Sequence, residues 1–258
     1  MRLTLVTHST VAIGTGSGVL LTDPLLRGRV AFLRRTSPPH DPALLHDVRA
    51  VLVSHLHHDH CDLPSLARLG RSTMLLVPAG TQDFFHRHGF TDVWPLRPGD
   101  RHSLLGFEVT ATPAAHDGTR RPFGSPSAAI GYVVAARGVR AYFAGDTDLF
   151  DGMRDLGGDL DVALVPVAGW GRTLGPGHLD PDRAAAAVGL LAPSVAVPIH
   201  WDGLRPFWHA TRTTADAEAA PRAFAAEVAR LGLPARVEIV SPGRSIEVQP
   251  ATGRPRSV

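Results

Sequence analysis

Seven consecutive residues, Ser54-His55-Leu56-His57-His58-Asp59-His60, bring four histidines and a carboxylate into one short stretch. Imidazole nitrogen and carboxylate oxygen are donors that zinc takes, and iron and manganese take similar sets. His55 and His57 are two apart, so in an extended turn they point the same way. Asp59 and His60 follow as the chain enters a helix and can point to a second centre. Burying such groups unpaired is costly, so packing does not explain them. The stretch reads as a metal site.

A strand must deliver these side chains and a helix must follow them. Val48–Val53 reads as a buried strand that runs into Ser54-His55, a strand-to-helix crevice of the kind where α/β sheets place their sites. A helix follows near Leu63–Leu69, with Asp62 as its N-cap and Pro64 in its first turn. Three more ligand-type residues close apolar strands. His116 follows Phe107–Thr112, Asp146 follows Arg140–Ala144, and His200 follows Val195–Ile199. All could therefore face one crevice.

The other elements surround this set. Short strands are expected at Leu3–Val6, Val11–Ile13 and Val19–Thr22, the last two joined by a glycine-rich turn. Residues 27–47 read as a loop. Strands are expected at Met74–Val77, Val93–Leu96, Ala129–Ala136, Val162–Val167, Val237–Val240 and Ser245–Val248. Helices are expected at Thr81–His88, at Pro181–Leu191 capped by Asp180, and at Pro221–Leu231 closed by Gly232. The pattern predicts two packed sheets with helices outside, a four-layer αββα sandwich of the α/β class. It predicts one domain over 1–250 and a frayed tail at 251–258.

The sequence resembles the metallo-β-lactamase superfamily, whose signature is HxHxDH. Thr22-Asp23-Pro24, Ala115-His116-Asp117, Gly145-Asp146-Thr147 and Ile199-His200-Trp201 continue the match in family order, over about residues 3–202. The resemblance implies that His55, His57 and His116 bind one metal. It implies that Asp59, His60 and His200 bind a second, and that Asp146 bridges the two. Asp23 would then hold a ligand histidine by hydrogen bond. The cofactors implied are two divalent ions, zinc first, with manganese or iron on the same ligand types. A shared carboxylate leaves room for a bridging hydroxide, the nucleophile of a hydrolase.

His8-Ser9-Thr10, Leu21-Thr22-Asp23-Pro24 and Gly177-His178-Leu179-Asp180-Pro181 look like one branch of that superfamily. It contains N-acyl-phosphatidylethanolamine phospholipase D and L-ascorbate-6-phosphate lactonase. The substrate implied is a phosphodiester or a lactone, phosphorylated or not. Asp59, Asp146 and His178 take the catalytic roles, the two carboxylates as proton relays and His178 as acid or positioning donor. A thioester or amide hydrolase on the same metals is the alternative, and a non-catalytic metal-binding protein is the reading from another class. His57 stands where oxygen-reducing diiron relatives carry glutamate, which favours hydrolysis. His8 could orient a ligand or merely satisfy its turn. His58 reads as a bystander and Cys61 as a small buried residue. Trp170, Arg172, Trp201, Phe207 and Trp208 are expected near His178 and His200, and Arg120 and Arg121 are candidates for substrate contact.

Composition narrows the partners. The chain has 258 residues, 44% hydrophobic and 19% charged, an ordinary globular balance. Its 26 basic residues are all arginine, and its formal net charge is only +2. The high pI reflects the absence of lysine, so a nucleic-acid partner is not expected. A small-molecule substrate is. No apolar run approaches the ~18 residues of a membrane span, so no stable membrane anchor is expected. One cysteine and no recognisable leader suit the cytoplasm. A homo-oligomer is left open.

Overall fold

Period-two alternation sets the layers of this molecule. In the strand that precedes the histidine stretch, Ala50 and Leu52 join the central core, whereas Val51 and Val53 join a second cluster under helices. Both faces of that strand are apolar, which suits a sheet covered on both sides. The computed structural model describes residues 1–251, apart from 38, 40, 121, 123, 125, 158, 170–173, 202 and 210–213.

The chain begins with β1 (Arg2–Thr7), β2 (Thr10–Thr15), β3 (Gly18–Thr22), β4 (Arg29–Val30), β5 (Leu33–Arg35) and β6 (Val48–Leu52). Next come α1 (Leu63–Leu69), β7 (Met74–Pro78), α2 (Gln82–Arg87) and β8 (Val93–Leu96). The second half holds β9 (Arg101–Leu104), β10 (Phe107–Asp117), β11 (Ala128–Ala136), β12 (Val139–Phe143) and β13 (Val162–Pro166). It continues with α3 (Pro181–Leu191), β14 (Val195–Ile199), β15 (Leu204–Pro206), α4 (Thr214–Ala217) and α5 (Ala219–Arg230). The last strands are β16 (Arg236–Val237) and β17 (Ser245–Glu247).

Two seven-stranded sheets form, in the orders β17-β1-β2-β3-β6-β7-β8 and β16-β14-β13-β12-β11-β10-β9. Each changes from antiparallel to parallel pairing partway across, at β3–β6 in the first and at β12–β13 in the second. Helices α1 and α2 pack on the first sheet, and α3 and α5 on the second, completing the αββα sandwich. Leu5, Ile13 and Leu20 meet Val109, Tyr132 and Phe143 between the sheets. Each such fully buried large side chain contributes about 1.5–3 kcal/mol. Tyr132 also ties the sheets together, its hydroxyl reaching the Val53 and Leu76 carbonyls at 2.7 and 2.9 Å.

Local signals place the helices. Asp62 accepts from Ser65 N at 3.1 Å and caps α1, and Asp180 accepts from Arg183 N at 2.8 Å and caps α3. The expected loop over 27–47 is corrected. It contains β4 and β5, which with β15 form a third, three-stranded sheet, and a 3-10 turn at Pro42–Leu45. Strand β9 was not expected, and β16 stops at Val237 rather than Val240. Beyond Ala251 the expected tail lies outside the described residues. No described helix is long and apolar enough to cross a membrane.

Candidate metal centre

The chain leaves β6 through Val53 and Ser54, both fully buried. Ser54 then orients the first histidine. Its hydroxyl donates to Asp23 Oδ2 at 2.6 Å, so its oxygen accepts from His55 Nδ1–H at 2.9 Å. That leaves a lone pair on His55 Nε2, a buried atom with no hydrogen-bond partner among the described residues. On β10, His116 Nδ1–H donates to the Gly177 carbonyl at 2.8 Å. Its Nε2 therefore also carries a lone pair, 3.2 Å from His57 Nδ1. Ligand atoms of His55, His57 and His116 lie within 4.8 Å of one another.

A second cluster adjoins the first. His60 Nδ1–H donates to Asp23 Oδ2 at 2.7 Å, and His200 Nδ1–H donates to the Ala168 carbonyl at 2.6 Å. The Nε2 atoms of His60 and His200 then face each other at 3.1 Å. Two lone pairs do not face each other at that distance. Something positive must lie between them, either a proton on His60 or a metal cation. Asp59 Oδ2 stands 3.7 Å from His60 Nε2 and 3.8 Å from His200 Nε2.

Asp146 joins the clusters. Its Oδ2 lies 3.3 Å from His60 Nε2, its Oδ1 lies 3.4 Å from His200 Nε2, and it also falls within reach of His116. Oδ1 is buried and accepts no hydrogen bond from the described residues. The backbone that delivers Asp146 requires glycine before it. Gly145 has φ +61°, and a Cβ there would stand 2.6 Å from Ser54 Cβ. Alongside, Ala115 N donates to Thr147 Oγ1 at 2.9 Å, which holds the end of β10 beside the Asp146 turn.

Burial and charge set the protonation. Burial holds His55 well below the usual imidazole range and lowers His57 to about 4, so both are neutral, the form that binds metal. Burial also opposes charge on His60, yet Asp146, Asp59 and Asp23 together raise it well above its ordinary value. Burial would raise Asp59 and Asp146, but the surrounding histidines hold both well below the usual carboxylate range. An orphaned His55 nitrogen, an orphaned Asp146 oxygen and facing imidazole nitrogens are the donor set that divalent cations fit.

All eight residues singled out in the sequence, His55, His57, Asp59, His60, His116, Asp146, His178 and His200, meet in this crevice. His178 sits at its mouth, with Nε2 3.5 Å from Asp146 Oδ2. Its hydrogen bond with Asp146 raises its pKa. Asp23 holds His60, as expected. His58 turns outward, and Cys61 is buried in the cluster under α1 and α2. Sequence reasoning passed over Ser54, whose only signal was a small hydroxyl residue just before His55.

The proposed substrate contacts need correction. Trp201 is buried in the core, its Nε1–H donating to the Pro198 carbonyl at 2.9 Å. Phe207 and Trp208 are exposed beside the third sheet, and Trp208 stacks on Phe32. Trp170, Arg172 and Arg121 lie outside the described residues. Arg120 grips the histidine loop instead: Nη1 donates to the carbonyls of Leu56 and Cys61 at 2.8 and 2.9 Å, and Nη2 meets His58 Nδ1 at 2.9 Å. Arg120→Ala is therefore expected to cost about 2–4 kcal/mol in urea unfolding, because it strands carbonyls paired to a charged donor. Unchanged stability would return Arg120 to the substrate.

The Beta-lactamase superfamily domain model matches residues 19–201. A protein of Opitutus terrae described as a UPF0173 metal-dependent hydrolase is 35% identical, over 96% of this chain and all of its own length. The solved metallo hydrolase Igni18 of Ignicoccus hospitalis is 25% identical, covers 95% of this chain and 97% of its own, and superposes with a TM-score of 0.69. An isothiocyanate hydrolase from Delia radicum gut bacteria shares the fold at 17% identity, a TM-score of 0.69, and coverage of 96% and 98%.

Proposed function

The chain belongs to the beta-lactamase superfamily and is a metal-dependent hydrolase, and from that premise we propose that it works through two divalent cations, zinc first, on a phosphodiester or a lactone. The observation that carries this reading is Asp146, whose carboxylate reaches the His60–His200 pair and His116 at once. His55, His57 and His116 would hold one cation, and Asp59, His60 and His200 the other. A cation pair there supplies Lewis acidity for the substrate oxygen and brings the pKa of water towards neutrality.

The chain's own side chains do the rest. Ser54 and Asp23 fix the rings of His55 and His60, so the donors need no rearrangement. The crevice opens on the side of His57, His116 and His178, which are partly exposed, while His55, His60 and His200 close its floor. His178, 25% exposed and with its pKa raised by its hydrogen bond to Asp146, is placed to give a proton to the leaving group. Asp59 and Asp146 are the carboxylates that can relay it. Phosphodiester and phosphorylated lactone follow from the likeness of the His8, Asp23 and His178 segments to one branch. A cytoplasmic location accords with the single free cysteine.

A panel of p-nitrophenyl phosphodiesters, lactones and thioesters, each with and without chelator, tests this. Chelator-sensitive turnover of a phosphodiester or lactone is expected. Turnover of thioesters alone would move the function to that alternative. No turnover of any member by metal-loaded protein would point to a binding role.

A further inference from the structure

His8 lies in the turn between β1 and β2, far in sequence from every proposed ligand. The residue is 2% exposed. Its Nε2 stands 3.1 Å from Asp59 Oδ2, and its ring centroid lies 3.9 Å from that of His200. Its carbonyl accepts the His200 amide at 3.1 Å. With its ring also 5.6 Å from that of His60, one residue thus meets all three groups assigned to the second cation.

The backbone is strained to put it there. Among the described residues seven non-glycine residues have positive φ, and three of them, His8, Asp23 and His200, stand at this centre. Histidine tolerates this region better than most residues but still at a cost, and such strain persists where the surroundings enforce it. Gly203 leaves space for the turn, since a Cβ there would lie 3.1 Å from His8 Cβ.

We propose that His8 is a positioning residue: it donates Nε2–H to Asp59 Oδ2 and so holds that oxygen where it faces the Nε2 atoms of His60 and His200, at 3.7 and 3.8 Å, setting the affinity of the second cation alone. This rests on the reading of Asp59, His60 and His200 as a cation site. Hydrogen bonds to a ligating carboxylate are typically worth 10–100-fold in metal affinity. His8 makes no contact with His55, His57 or His116 in any hydrogen bond or ring pair described, so the first cation should not respond.

Stepwise cobalt(II) titration, followed by visible absorption, tests this on the full chain stripped of metal. Wild-type protein should bind two equivalents tightly. His8→Asn tolerates the same backbone but is too short to reach Asp59. It should keep one tight equivalent and weaken the second by about 10–100-fold. His8→Gln restores an N–H at that reach and should recover most of the loss. Two tight equivalents in His8→Asn, equal weakening of both, or no recovery in His8→Gln would overturn the proposal. Fewer than two equivalents in the wild type would instead overturn the cation sites beneath it. Should His8→Asn fold poorly, nitrogen-detected NMR of wild-type histidines decides: a proton on His8 Nε2 is expected, and one on Nδ1 alone overturns it.

Discussion

Asp146→Asn is expected to cut turnover by about a thousandfold or more, equivalent to about 4 kcal/mol of barrier. Asparagine keeps the shape, so the Gly145 turn and the fold should survive. It removes the charge that faces His60 at 3.3 Å, His200 at 3.4 Å and His178 at 3.5 Å. Three consequences converge on one side chain. The shared ligand between the clusters weakens, His178 loses the partner that raises its pKa, and a proton relay disappears. Steady-state kinetics with metal analysis checks this, and the variant should hold about one cation where the parent holds two. Near-parental turnover with an unchanged circular dichroism spectrum would contradict the role given to Asp146.

Removing the cations is expected to lower the melting temperature by roughly 10 °C. A ligand present at about a thousandfold above its dissociation constant stabilises by about 4 kcal/mol. In a domain of this size each kcal/mol moves the midpoint by about 2–4 °C. Three carboxylates, Asp23, Asp59 and Asp146, are buried together, and among the described residues no arginine partners them. Without cations only protons on the histidines balance them. Differential scanning fluorimetry before and after dialysis against chelator measures the effect, and added zinc should reverse it. An unchanged midpoint would mean that the cluster is satisfied by its protons.

Much of this centre was legible in the sequence because its signals are local. The ligands stand at strand ends in chain order, the apolar run before His55 marks a buried strand, and Asp62 and Asp180 sit one residue before their helices. What was illegible depends on distant pairing. Strands β4, β5 and β15 have two or three residues each, too few for alternation to register. The sheet exists because Leu204 pairs with Arg35 across the fold. Arg120 looked like a substrate contact because arginine, in a chain without lysine, has to serve for every strongly basic position, and residue type does not tell a carbonyl clamp from an anion grip. His8 was ambiguous because its partner Asp59 is 51 residues away. Trp201, beside a ligand, looked like lining, yet its indole turns into the core.

The most direct test is metal content by plasma mass spectrometry on tag-free protein purified without chelator. About two equivalents of zinc, manganese or iron per chain are expected, falling to about one in Asp146→Asn. Below one equivalent in the parent, even after reconstitution, would contradict a two-cation centre built from these residues.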